Sequence, residues 1–332
     1  GSRRCYVLLD LSQLVICMAT HAFVFPGQGS QAVGMAKELC EASAAAREVL
    51  EEVDEALKQR LSHLMFEGPE DKLVLTENAQ PALMATSVAV LRTLQQEGGI
   101  DLGKKVTFVA GHSLGEYSAL AAAGTFALTD TARLLKRRGQ AMQRAVPVGE
   151  GAMAAVLGLE VTDIAEIVET AAGDDEVCAL ANDNAPGQVV ISGHSGAIAR
   201  AIELCSECGA KRSIELPVSA PFHCALMAPA ADEMREALAE VAMGDPTVPL
   251  VANVTAAPVN AAHEIKGLLV EQVTAMVRWR ETVLSLRSAG VDSIIELGAG
   301  RVLSGLVRRI DREIATASVH TPDDVDALLK NL

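Results

Sequence analysis

Lys105-Val-Thr-Phe-Val-Ala-Gly-His-Ser-Leu-Gly-Glu-Tyr-Ser-Ala-Leu-Ala-Ala-Ala123 is the stretch that decides the fold. It begins as a short apolar run, which reads as a buried strand, and ends over 116–123 in an Ala-rich segment that reads as a helix. Between them stands Gly111-His-Ser-Leu-Gly115, a GxSxG sequence. A strand that turns sharply into a helix through small residues makes the intervening serine project from the sheet, the arrangement of a nucleophile elbow. The helix N-terminus under the serine then favours developing negative charge. Alone, the motif is equally a glycine turn with an incidental serine; the flanking strand and helix favour the elbow.

Working outward, His21-Ala-Phe-Val-Phe25 is another buried strand, ended by Pro26-Gly27. A helical pattern runs from Met35 to about Met65 with a break near Ala42-Ser43, and a further helix runs from Gln80 to Gln96, started by Pro81. Thr129 is a good N-cap for a helix reaching Arg144. This alternation indicates an α/β layer with a parallel sheet. From Pro147 to Pro217 the rhythm changes: strands over 152–157, 177–182, 188–192 and 212–216 and helices over 161–172 and 195–208 give βαββαβ, the ferredoxin-like order. Strands over 250–254 and 293–297 and a helix after Gly300 then resume the first pattern. The expected fold class is therefore α/β, a parallel-sheet domain carrying an inserted ferredoxin-like βαββαβ subdomain. The expected division is 18–146 with 217–332 as the large catalytic domain and 147–216 as the insertion. Residues 1–17 read as upstream or appended sequence: Gly1-Ser2 resembles a tag remnant and Met18 a natural start before the strand.

Composition excludes several classes. With 28 Lys and Arg against 43 Asp and Glu the net charge is −15, which disfavours broad contact with phosphate backbones. Half of the chain is hydrophobic, so disorder is excluded, and 6 Phe, 2 Tyr and 1 Trp leave the core to aliphatic residues. No apolar run reaches the roughly 18 residues that span a bilayer. The 7 cysteines show no disulfide spacing, and Cys205-Ser-Glu-Cys208 is a lone pair without the second half of a zinc site. A cytoplasmic, metal-free protein is expected.

An elbow serine needs a base. His63, His263 and His320 read as surface residues and His194 as a helix cap, whereas Pro217-Val-Ser-Ala-Pro-Phe-His223 is a prolyl loop able to hold an imidazole rigidly. The third member cannot be chosen by spacing, because many carboxylates follow Ser113. Gly27-Gln-Gly-Ser-Gln31 with Ala32 fits a dinucleotide fingerprint, but no second strand ending in an acidic residue follows. It better suits a loop whose Gln28 amide supplies an oxyanion donor. Arg138, within Lys136-Arg-Arg138, reads by itself as a solvated helix position.

Taken in order, Gly27-Gln-Gly-Ser-Gln31, Gly111-His-Ser-Leu-Gly-Glu-Tyr117, Arg137-Arg-Gly139, Gly187-Gln-Val-Val-Ile-Ser-Gly193, Phe222-His223 and Val277-Arg-Trp279 resemble the malonyl-CoA:acyl-carrier-protein transacylases over essentially residues 19–318. The resemblance implies a hydrolase-like α/β fold with an inserted ferredoxin-like subdomain and malonyl transfer to a phosphopantetheine thiol in ping-pong order, without a cofactor. It implies Ser113 as nucleophile, His223 as base and Gln272 as the residue whose carbonyl orients that base. Gln28 and the N–H of Leu114 become the oxyanion hole, Arg138 the clamp on the malonyl carboxylate, and Phe222 the ring that crowds branched extenders. Malonyl-CoA and acyl carrier protein are the implied partners, with no nucleic acid or membrane, and a monomer is expected. Lys136-Arg137, Lys211-Arg212, Arg301 and Arg308-Arg309 are candidate carrier contacts. A serine thioesterase or esterase, a polyketide-pathway acyltransferase and a non-enzymatic carrier-docking module are the competing readings.

Overall fold

The run His21–Phe25 forms β1 and Val106–Gly111 forms β2, parallel neighbours with Phe25 opposite Gly111. Alternation along β1 sends Phe23 and Phe25 to one side, into the larger core, and Ala22 and Val24 to the other, against Trp279, Leu303 and Val307. The computed structural model describes residues 20–332; the segment 1–17 lies outside the described residues.

β1 and β2 sit at the centre of a six-stranded sheet. β7 (Leu250–Val251), β8 (Pro258–Val259), β9 (Ser293–Leu297) and β10 (Ala315–Val319) complete it in the order β10-β9-β1-β2-β7-β8. Every pairing is parallel except β7 with β8 at one edge. Helices cover both faces, as a parallel sheet requires. The strand expected over 250–254 stops at Val251, because Asn253 leaves the ladder to bond the elbow. The helix expected from Pro81 begins earlier, at Thr76 of Thr76–Gln96, and Thr129 is not a cap: helix Leu128–Arg144 starts after Ala127.

Gly151–Leu157 (β3), Cys178–Ala185 (β4), Gln188–His194 (β5) and Arg212–Glu215 (β6) form a separate antiparallel sheet in the order β4-β5-β3-β6. Helices Val161–Ala171 and Ser195–Glu207 cover one face through Ile164, Ile167, Val168, Ile198 and Ala201. The element sequence is βαββαβ, so both expected sheets are present. The other face carries Met153, Ala181 and Val190 toward Val218 and Phe222. Val277 donates its N–H to the Ala181 carbonyl at 2.9 Å and accepts from Asp183 N–H at 3.0 Å, which fixes β4 beside the segment that follows Gln272.

Candidate active site

The elbow geometry follows from the glycines. A Cβ on Gly111 would lie 1.9 Å from the Gly115 carbonyl carbon, and one on Gly115 would lie 2.2 Å from the Phe25 carbonyl oxygen. Only glycine lets strand, turn and helix close this tightly. Ser113 itself has φ 54°, a left-handed conformation that costs a non-glycine residue about 1–3 kcal/mol. Asn253 and Gln272 hold it there. The Asn253 Oδ1 accepts Ser113 N–H at 2.8 Å, the Asn253 Nδ2 donates to the Gly111 carbonyl at 2.6 Å, and Gln272 Nε2 donates to the Ser113 carbonyl at 3.0 Å.

The prolyl loop presents His223, also at positive φ (57°) and only 4% exposed, with Nε2 at 2.8 Å from Ser113 Oγ. Its Nδ1 lies 2.9 Å from the main-chain carbonyl of Gln272, the last residue of helix Ala262–Gln272. A carbonyl only accepts, so Nδ1 carries the proton and Nε2 is left to accept from the serine hydroxyl. Burial, then the positive charge of Arg138, push the His223 pKa down to about 3, so the ring is a neutral acceptor at physiological pH.

Arg138 is 1% exposed. Its Nη1 donates to Gln80 Oε1 and its Nη2 to Gln272 Oε1, both at 2.8 Å, and Nη2 lies 3.3 Å from Ser113 Oγ. The guanidinium carbon stands 5.6 Å from the Tyr117 ring centroid, within cation–π range. Its Nε has no acceptor among the described residues. Gln80 Nε2 donates to Thr76 Oγ1, which donates to Gln28 Oε1, each at 2.9 Å. That chain fixes the Gln28 amide with its NH₂ unspent, and among the described residues the Leu114 N–H also lacks an acceptor.

Ser113, His223, Arg138, Gln28, Leu114 and Phe222 all line one cavity of about 650 Å³, while Gln272 stands behind it and is fully buried. Every expected site residue is therefore in or against one cleft. The other histidines are elsewhere or otherwise engaged. His63 and His263 are exposed, both on helices, and His320 pairs with Asp324 at 3.3 Å. His194 is the N-cap residue of its helix as expected, but its ring accepts from Val177 N–H at 2.8 Å and makes no capping hydrogen bond. His112, beside the nucleophile, binds Asn184 at 2.7 Å and meets Trp279 ring to ring at 5.6 Å. Among the described residues no group of three or more His, Cys, Asp or Glu could hold a metal ion, and no helix is long and apolar enough to cross a membrane.

Sequence reading passed over Asn253, Gln80 and Glu116. Asn253 had a signal: a polar residue just past the C-terminal end of an apolar strand is where α/β sheets place functional groups. Glu116 is 1% exposed, and burial pushes its pKa up to about 7.

Residues 22–321 match the model of the acyl transferase domain. The chain belongs to the acyl transferase family. It is 44% identical over 317 residues to the malonyl CoA-acyl carrier protein transacylase of Bacillus subtilis, covering 95% of this chain and 98% of the relative. The transacylase of the same name from Escherichia coli K12 is likewise 44% identical, over 94% of this chain and all of its own length. Among solved structures, an acyl-carrier-protein-S-malonyltransferase from Bartonella henselae superposes with TM-score 0.92 at 55% identity, covering 94% of this chain and 99% of that one. A malonyl-transacylase in complex with a type II PKS acyl-carrier protein superposes with TM-score 0.91 at 41% identity, covering 95% and 100%. These acyl transferase structures share the parallel-sheet core and the ferredoxin-like subdomain.

Proposed function

We propose that the chain carries out the malonyl-CoA to acyl-carrier-protein transfer that its relatives' names describe, delivering the malonyl group to the carrier's phosphopantetheine thiol through a malonyl-Ser113 intermediate. The observation that carries this is Arg138: a buried guanidinium 3.3 Å from the Ser113 hydroxyl, where an acyl group with a free carboxylate would meet a planar, permanently charged fork.

In the first half-reaction Ser113 Oγ attacks the thioester carbonyl while its proton passes to His223 Nε2. The oxyanion forms against the Leu114 N–H and the Gln28 NH₂. On collapse the C–S bond breaks and the CoA thiolate leaves with the proton from His223. The second half runs in reverse: His223 deprotonates the carrier thiol, the thiolate attacks the serine ester, and Ser113 Oγ recovers the proton. One thioester replaces another, so the exchange is nearly isoenergetic and calls for no metal or cofactor.

The shape of the cavity supports transfer over hydrolysis. Met153, Leu216, Val218 and Phe222 contribute apolar surface to the lining of the cavity, which disfavours bulk water beside the ester. Phe222 precedes the base in the chain and lines the same cavity, a position that would crowd a branched extender. Five described cysteines are free, which suits a reducing cytoplasm, and we take the enzyme to act there as a monomer. Fatty-acid elongation is the supplied pathway in this reading; the likeness to the transacylase bound to a PKS carrier favours a polyketide carrier as the second.

The test is malonyl transfer to a phosphopantetheinylated carrier by wild type and Arg138→Ala. Loss of the clamp is expected to lower kcat/KM for malonyl-CoA about a hundredfold or more, as truncating one partner of a buried charge pair does. An esterase of the same elbow type would hydrolyse malonyl thioesters equally well with or without Arg138.

A further inference from the structure

A buried guanidinium without a counter-charge is costly, yet among the described residues no carboxylate forms an ion pair with Arg138. Glu116 stands one group away. It belongs to the first turn of helix Gly115–Ala122, three residues after the nucleophile, and is 1% exposed. Its Oε1 accepts Asn253 N–H at 3.2 Å and its Oε2 accepts from Gln272 Nε2. The same Gln272 amide turns its Oε1 to Arg138 Nη2 at 2.8 Å. The ends of this relay settle its direction, since a carboxylate accepts and a guanidinium donates.

We propose that Glu116 is the counter-charge of Arg138, delivered across the side-chain amide of Gln272, and that the separation is what keeps the guanidinium open to a substrate carboxylate. The inference rests on the reading of Arg138 as the malonyl clamp. A carboxylate bonded directly to Arg138 would neutralise the fork and fill the place the substrate needs. With no carboxylate nearby, only neutral acceptors and the Tyr117 ring would offset the cost of burying the charge before substrate arrives. The intervening amide meets both demands: the guanidinium is oriented by two neutral carbonyl oxygens, of Gln80 and Gln272, while its Nε stays without an acceptor among the described residues. Glu116 is thus a positioning residue for the clamp. Its effect on the base is smaller, because His223 bonds the main-chain carbonyl of Gln272, which the end of helix Ala262–Gln272 holds.

The role separates from plain core packing by substrate. Rates of Ser113 acylation by malonyl-CoA and by acetyl-CoA, which lacks the free carboxylate, are to be measured by rapid quench and intact-mass spectrometry in wild type, Glu116→Gln and Glu116→Asp. The measurement is made at about pH 8.5, where the Glu116 carboxyl is ionised although burial raises its pKa to about 7. Removing the charge is expected to lower the malonyl-to-acetyl rate ratio at least about tenfold, the scale of losing one charge-assisted contact. Glu116→Asp keeps the charge but draws it back by one methylene, and a drop of about threefold is expected, the scale of weakening one ordinary hydrogen bond. A ratio unchanged in Glu116→Gln, with both rates falling together, overturns the proposal; should that variant not fold, an unchanged ratio in Glu116→Asp does so. Wild type that takes up no malonyl at all contradicts the functional reading itself, a different result from an unchanged ratio.

Discussion

With its Nδ1 proton committed to the Gln272 carbonyl at 2.9 Å, His223 has one free nitrogen, and the charges around it decide when that nitrogen accepts a proton. Burial and then Arg138 lower its pKa to about 3, His112 acts in the same direction, and the hydrogen bond to Gln272 opposes them. The free enzyme's base is therefore already neutral well below pH 6.5. The expected profile of kcat/KM for acetyl-CoA acylation, which does not need the clamp, is flat across pH 5–8, without the acid limb of an ordinary imidazole. With malonyl-CoA the titration of Glu116 near pH 7 adds a fall toward acid. Once a malonyl carboxylate offsets Arg138, one depressing influence is gone, so the acid limb of kcat is expected at higher pH than that of kcat/KM. An acid limb near pH 6.5 with acetyl-CoA would contradict the burial argument. The linkage sign agrees: a depressed folded-state pKa adds stability above pH 6.5 that is lost as pH falls toward 3. Ser113, His223 and Gln28 could be assigned from sequence because each occupies a turn with a distinctive local signal. Gln272 was reached only through the family resemblance and not from a local signal, since its contribution to the base is a main-chain carbonyl, which any residue type offers.

At the scale of elements, the strand–elbow–helix unit was legible because a single local pattern specifies all of it. Gly115 shows how tightly: its missing Cβ is the space occupied by the Phe25 carbonyl 2.2 Å away. Gly115→Ala is expected to destabilise the protein by about 3 kcal/mol or more, beyond ordinary overpacking because the clash is with backbone. Equilibrium denaturant unfolding measures it, and a loss under about 1 kcal/mol would mean the elbow relaxes freely. Helix Ala262–Gln272 was not read from the sequence. Only Ile265, Leu269 and Gln272 of its 11 residues are buried, and a polar residue inside such a stripe blurs the 3.6-residue period. Asn253 ended a strand early for a related reason, its amide being drawn to the elbow rather than to the ladder.

For the whole molecule, a net charge of −15 makes long-range approach of any acidic partner unfavourable, so a carrier of that kind would dock through local cations. The structure sorts the candidates. Arg137 is tied to Glu233, Glu236 and Glu240, and Lys136 to Glu77, while Arg308 and Arg309 bond Thr316 and Gln188. Lys211, Arg212 and Arg301 are exposed and form no ion pair with the described residues. Lys211→Glu with Arg212→Glu is expected to raise KM for the carrier about tenfold, the size of removing two rim charges, while acylation by malonyl-CoA is unaltered. An unchanged KM for the carrier would place the docking face elsewhere. The two-sheet architecture was readable because each sheet has its own sequence rhythm, whereas the cleft between them was not, since it arises where Val277 ties β4 to the larger sheet's side.

The claim on which all this stands is that Ser113 carries the malonyl group between two thiols. Intact-mass spectrometry after mixing the protein with malonyl-CoA tests it most directly. The expected result is an added malonyl group on the wild type, absent in Ser113→Ala, that disappears from the enzyme and appears on phosphopantetheinylated carrier when carrier is added. No adduct on the wild type, or an equal adduct on Ser113→Ala, would contradict it.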